Sequence, residues 1–159
     1  MLRTDVRDTG AIRSCVASAI AAFGRIDVLV NNAGGLVQRV PIAEFTDTLF
    51  DEVMHINALS MLAFCREVVP LMRQQGSGGA IINVTSVAAR HGGGPGAYLY
   101  AGSKGFVSTA TRGLNGRGDT FCRTGVDVVY HDGCAFLGHA HRNAFANAAT
   151  RAGNDHGLA

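Results

Sequence analysis

The chain has 159 residues, 47% of them hydrophobic and 16% charged, and carries a net charge of +2; this length and composition suit one packed domain, marginal for two and too apolar for a disordered chain. So weak a charge argues against nucleic acid or an anionic membrane surface as the main partner, and no run of 18 apolar residues offers a membrane span. The first residues form no apolar leader core, and Cys15, Cys65, Cys122 and Cys134 include no C-x-x-C pair, which fits free thiols in a reducing, cytoplasmic setting.

In chain order, residues 2–6 read as the end of a strand. Asp8 or Thr9 can cap a helix in which Ile12, Val16, Ala19, Ile20 and Phe23 recur at helical spacing, and Gly24 ends it. Residues 26–30 (IDVLV) are short, branched and apolar, the pattern of a buried parallel strand. They run into a turn of small and polar residues, Asn31-Asn32-Ala33-Gly34-Gly35. Pro41 opens a helical region with Phe45, Leu49, Val53 and Ile56 on one face. The pattern continues through Leu59, Leu62, Cys65, Val69 and Met72, with a break near Asn57, and stops at Gly76-Ser77-Gly78-Gly79. Residues 80–84 (AIINV) form a second buried strand ending in Thr85-Ser86. After the glycine-rich loop 92–96, a helix from Tyr98 to about Leu114 carries Tyr100, Lys104, Val107 and Thr111 on one stripe. Residues 126–130 (VDVVY) add a strand, and residues 144–151 at most a weak helix. Strands and helices alternating through short connections predict an α/β fold with a parallel sheet covered by helices.

In such a sheet, ligands bind outside the carboxyl ends of the strands. Two predicted strands end in Asn31-Asn32-Ala33-Gly34 and in Thr85-Ser86, so both segments open onto one crevice. The small residues let a flat ligand approach the backbone; a plain turn is the other reading. Tyr100 and Lys104 lie four apart and share a helix face. A free tyrosine, with a pKa of about 10, is a poor base near neutrality. A cation held close stabilises its phenolate and makes proton exchange with an alcohol or carbonyl feasible; an ordinary helix pair is the alternative. The chain has 13 Arg and a single Lys, Lys104, which favours a specific use for that lysine. Asn57 either holds water or backbone at a helix break or only caps. Ser86 either bonds a substrate oxygen or satisfies its own turn. Cys122, Cys134, His139 and His141 match no common zinc spacing, and no metal is expected.

Taken together, Asp5-Val6 after a strand, FGRIDVLVNNAGG (23–35), the helix around Asn57, AIINVTS (80–86), and YAGSK (100–104) with TRGL (111–114) resemble the short-chain dehydrogenase/reductase family over roughly residues 2–115. The stretch HGGGPGAYLYAGSKG (91–105) looks especially like bacterial 3-oxoacyl reductase-like members. The resemblance implies hydride transfer between NAD or NADP and a small alcohol/carbonyl pair. It implies Tyr100 as general acid/base, Lys104 lowering its pKa and bonding the nicotinamide ribose, Ser86 polarising the substrate oxygen, and Asn57 holding a water in a proton relay. It also implies Asn31, Ala33 and Gly34 lining the cofactor cleft, Asp5 and Val6 contacting adenine, and subunit pairing through helices near 57–73 and 100–114.

The family's opening glycine-rich turn, TGxxxGxG, is absent. The expectation is therefore a partial Rossmann-like, doubly wound parallel sheet lacking the first βαβ unit or units, with an apolar edge exposed and weak cofactor binding. Residues 1–115 would be the domain bearing the catalytic residues and 116–159 a divergent tail. Residues 105–159 contain no Lys, Glu, Gln, Pro, Ile or Met, which suggests a shifted reading frame after about 115. The alternatives to an enzyme are a non-catalytic fragment serving as an oligomerisation partner or gene remnant, and a small nucleotide-binding module. Substrate and NAD-versus-NADP preference carry no readable code here.

Overall fold

Asp8 starts the first helix by accepting the Gly10 N–H on its carboxylate at 2.7 Å. α1 runs Thr9–Phe23 and ends on Gly24, whose left-handed φ of 74° lets its N–H reach the Ile20 carbonyl. The computed structural model describes residues 1–114 and the backbone of 126–131. The readings that fall on 115–125 and 132–159 lie outside the described residues. These include the helix at 144–151 and Cys122, Cys134, His139 and His141.

β1 is Val28–Asn31. A 3-10 turn, Ile42–Glu44, leads to α2, Asp47–Met54, capped by Thr46 Oγ1 on the Leu49 N–H. A π-turn over His55–Leu59 passes directly into α3, Ser60–Gln74. β2 is Gly79–Val84, α4 Ala88–His91, α5 Tyr98–Leu114, and β3 Val126–His131. The three strands are parallel in the order β1-β2-β3, with Leu29 opposite Ile81 and Asn31 opposite Asn83. Successive strand residues point to opposite faces. Leu29, Asn31, Ile81 and Asn83 therefore share one face. On it Ile81 packs with Val16 of α1, Met61, Val68 and Met72 of α3, and Val107 of α5. One core thus unites three helices with one side of an α/β parallel sheet.

Three sequence expectations need correction. Residues 2–6 are not a strand. Asp5 closes a turn instead, its carboxylate accepting from the Arg7 N–H at 3.0 Å and its carbonyl from the Asp8 N–H at 3.1 Å. The IDVLV segment is not buried on both faces: Val28 and Val30 are 55% and 53% exposed, because α1, α3 and α5 gather on the Leu29 side. Pro41 opens the 3-10 turn and not the helix, leaving Phe45 ahead of α2. There the Phe45 ring meets Tyr98 edge-on, with centroids 6.5 Å apart. The helix break expected near Asn57 is the π-turn.

Candidate active site

The site assembles where β2 ends against α5. Alternation along the strand carries Ile81, Asn83 and then Thr85 to the helix side, and all three are buried. Lys104 sits on the facing stripe of α5 and is only 4% exposed. Its Nζ donates to the Val84 carbonyl at 3.0 Å. Burial, with no carboxylate beside it among the described residues, pulls the Lys104 pKa below its ordinary value. Tyr100, one turn earlier on the same helix, is half-buried. Ser86 Oγ accepts the Ala88 N–H at 3.2 Å, an arrangement that leaves its hydroxyl hydrogen to donate outward.

Asn57 reaches the same place from the π-turn. It is 1% exposed. Its Oδ1 accepts the Gly35 N–H at 2.9 Å, and its Nδ2 donates to the Gly35 carbonyl at 2.9 Å and to the Val53 carbonyl at 3.0 Å. Both amide hydrogens are engaged, so the side chain works as a two-way clamp on the turn after β1. A Cβ on Gly34 would lie 2.5 Å from Asn57 Oδ1 and 3.4 Å from Lys104 Nζ. Bare backbone is what lets these two side chains approach the same turn.

Asn31 lies at the end of β1, but its side chain does not line the crevice. It turns to the core face and donates to Asn83 Oδ1 at 2.8 Å. Asn83 Nδ2 donates in turn to Thr111 Oγ1 at 3.0 Å, and Thr111 Oγ1 to the Val107 carbonyl at 2.7 Å. The chain of donors crosses from β1 through β2 to α5. A role for Asn31 at the cleft is thus confined to its backbone, whereas Ala33 and Gly34 are exposed there. Asp5 is exposed and Val6 half-buried. Hydrogen bonds from the Arg7 side chain and N–H hold the Asp5 carboxyl down to about 2. Neither residue hydrogen-bonds to the Tyr100–Lys104 group.

Two loops meet over this floor. Arg39 donates to the Pro95 carbonyl at 2.7 Å, and the Val40 N–H to the Gly96 carbonyl at 3.1 Å. Gly92, Gly93, Gly94 and Gly96 all have positive φ, from 70° to 83°. A Cβ on Gly96 would lie 2.9 Å from Val40 N. Sequence reasoning passed over Asn83 and Arg39, and it set Thr85 on the crevice, whereas the hydroxyl turns inward to the Lys104 carbonyl. The signal for Asn83 was there: one polar residue at the buried parity of an otherwise apolar strand. On the outer side of α2, α3 and α5, Met54, His55, Leu59, Leu62 and Phe106 line a shallow apolar groove.

A family model described as short chain dehydrogenase matches residues 1–129. The chain is 38% identical over 120 residues to a 2-(R)-hydroxypropyl-CoM dehydrogenase of Xanthobacter autotrophicus, covering 71% of this chain and 45% of that protein. It is 39% identical over 119 residues to a 2-dehydro-3-deoxy-L-rhamnonate dehydrogenase (NAD(+)) of a Sphingomonas species, covering 72% and 47%. The chain therefore spans about half the length of the curated relatives it matches. Among solved structures, it is similar to an NADH-dependent reductase A1-R′ responsible for alginate metabolism, with a TM-score of 0.75 and 32% identity, covering 82% of this chain and 53% of that one. The same reductase complexed with NAD matches equally well, at a TM-score of 0.75.

Proposed function

Since the chain belongs to the short-chain dehydrogenase family, we propose that it carries the proton-handling half of a dehydrogenase site that interconverts a small alcohol and its carbonyl with NAD or NADP. The observation that carries this reading is the placement of the only lysine. Lys104 is buried with no carboxylate beside it among the described residues, one helical turn from Tyr100, beside the strand end that bears Ser86. A protein that merely needed a surface cation had no reason to bury one there.

The residues fit a nicotinamide cofactor beside Gly34, where exposed bare backbone lies next to the Lys104 ammonium. The Lys104 ammonium has three N–H donors, and one is engaged by Val84. The others would hold ribose hydroxyls. When bound, the cofactor takes up or releases the hydride of the carbinol carbon. In the oxidative direction Tyr100 Oη removes the hydroxyl proton as the hydride leaves, and in reduction it returns that proton to the carbonyl oxygen. Ser86, its oxygen already accepting from Ala88, donates its hydrogen to the substrate oxygen and stabilises the charge that develops there. Both amide hydrogens of Asn57 are engaged by backbone, so any water it holds for a proton relay sits on an oxygen. Ala33 and Gly34 form the floor of the cofactor cleft, and Asp5 and Val6 its adenine side. Subunit pairing through α3 and α5 belongs to the same reading and is supported by the groove at Leu59 and Phe106. The free thiols Cys15 and Cys65 support a reducing, cytoplasmic setting.

The test is a thermal melt of the chain with and without millimolar NADH and NADPH, followed by turnover of wild type and Tyr100→Phe on a panel of secondary alcohols. The reading expects a melting temperature raised by one cofactor, and turnover lost in Tyr100→Phe with that rise retained. Turnover that survives Tyr100→Phe refutes it. Cofactor stabilisation without any turnover would favour a nucleotide-binding module.

A further inference from the structure

We propose that Thr85 is a positioning residue that sets the axial register of α5 against the end of β2, and so holds Lys104 and Tyr100 opposite Ser86. Its purpose rests on the dehydrogenase reading, while its geometry does not. Thr85 is 4% exposed. Its hydroxyl donates to the Lys104 carbonyl at 2.8 Å and accepts from Ser108 Oγ at 3.2 Å. Lys104 answers in the other direction, with Nζ on the Val84 carbonyl. Strand residues 84–85 and helix residue 104 therefore exchange bonds both ways. Further along the helix, Asn83 Nδ2 holds Thr111 Oγ1 at 3.0 Å.

These polar contacts lie on the same stripe as Val107, which packs in the core. Apolar packing is non-directional and has no strong axial preference. A hydrogen bond fails once its length or angle leaves a narrow range. Sliding a helix by one residue moves it about 1.5 Å, enough to break every contact in the set. Among the side chains that join β2 to α5, Thr85 alone binds the backbone of the residue whose ammonium lies in the site. It touches neither the crevice nor any reacting group and acts through Lys104.

Because Lys104 is the only lysine, the N-terminal amine is the only other reactive amine, and peptide mass separates the two. The experiment measures the rate of Lys104 modification by trinitrobenzenesulfonate under native conditions. Intact mass and peptide mass are read in wild type, Thr85→Val, Thr85→Ser, and Ile12→Ala. The last variant lowers stability from α1, far along the chain from the site. Thr85→Val should label about fivefold faster, which corresponds to about 1 kcal/mol at 1.4 per decade. Thr85→Ser should return to within about twofold of wild type, and Ile12→Ala should not accelerate below its melting temperature. If Thr85→Val does not fold, Thr85→Ala and Ser108→Ala probe the same bonds. Equal rates in Thr85→Val and Ile12→Ala, or no rescue by serine, overturn the proposal and leave Thr85 as a satisfied core hydroxyl. Tyr100-dependent turnover is measured separately. If it is absent while Lys104 is released, the dehydrogenase reading fails and the register role stands. If it is present while Lys104 is unaffected, the register role fails alone.

Discussion

Replacing Gly34 with alanine tests the clamp most directly. The added Cβ would lie 2.5 Å from Asn57 Oδ1, at a φ of +151° that already disfavours a side chain. Contacts under 3.0 Å are not tolerated, so the amide must retreat by about half an ångström. It has no slack, because three hydrogen bonds of 2.9 to 3.0 Å fix it to Gly35 and Val53. Moving it breaks at least the two bonds to Gly35 and leaves buried polar groups unsatisfied, a loss of about 2–3 kcal/mol. For a domain of this size that lowers the melting temperature by roughly 5–15 °C. Urea denaturation followed by circular dichroism measures the loss, and a thermal melt the shift. Gly35→Ala is the control: nothing lies within 4 Å of its added Cβ, so its stability should stay within about 0.5 kcal/mol of wild type. Combining Gly34→Ala with Asn57→Ala should cost less than the sum of the two, since the collision disappears with the amide. If Gly34→Ala is as benign as Gly35→Ala, the clamp does not hold this turn.

Other measurements follow from the same geometry. Asn83→Ala removes the acceptor of the Asn31 amide and one donor to Thr111 Oγ1, which keeps its bond to the Val107 carbonyl, and should cost about 2–3 kcal/mol in denaturant melts; a loss under about 1 would show that water replaces the network. Burial holds the Lys104 pKa below 10.5, so between the folded value and 10.5 the unfolded chain binds more protons and stability gains with pH. Lys104→Met should lack that gain in a comparison of urea midpoints across the alkaline range up to 10.5, and parallel curves would contradict the assignment. Burial pushes the Cys65 thiol up to about 11 from 9.0, so its contribution is complete below pH 9 and lost as pH rises through about 11. Cys65→Ala should flatten that alkaline decline, and iodoacetamide should reach half-buried Cys15 before Cys65 in the native chain.

Most helices and strands were legible because their signals are local. Asp8 and Gly24 bracket α1, while the helical region that Pro41 opens begins as a 3-10 turn and α2 starts anew at its cap Thr46. The Tyr98–Leu114 helix and the 126–131 strand stand where spacing expects them. The strand read at 2–6 failed because a strand is defined by its neighbour, and five residues such as Leu2 to Val6 do not say whether one is present. The exposure of Val28 and Val30 was hidden for a related reason: IDVLV fits either burial pattern, and only the side on which the helices collect decides. In the site, the co-facing of Tyr100 and Lys104 follows from helical period. The side-chain direction of Asn31 does not follow from its motif. It is fixed by Asn83, 52 residues away, a pairing that no local pattern encodes.

The π-turn at His55–Leu59 has a consequence for how this chain can vary in length. A π-turn amounts to one extra residue wound into an otherwise regular helix. Deleting any residue of the five would restore uniform winding and improve the local hydrogen bonding. It would also rotate everything on one side of the deletion by about 100° relative to the other. Asn57 would leave Gly35, or the Met61, Val68 and Met72 stripe would leave the sheet. An insertion produces the same conflict with the opposite sign. The segment from 47 to 74 is therefore locked in phase at both ends, and changes in length must fall outside it.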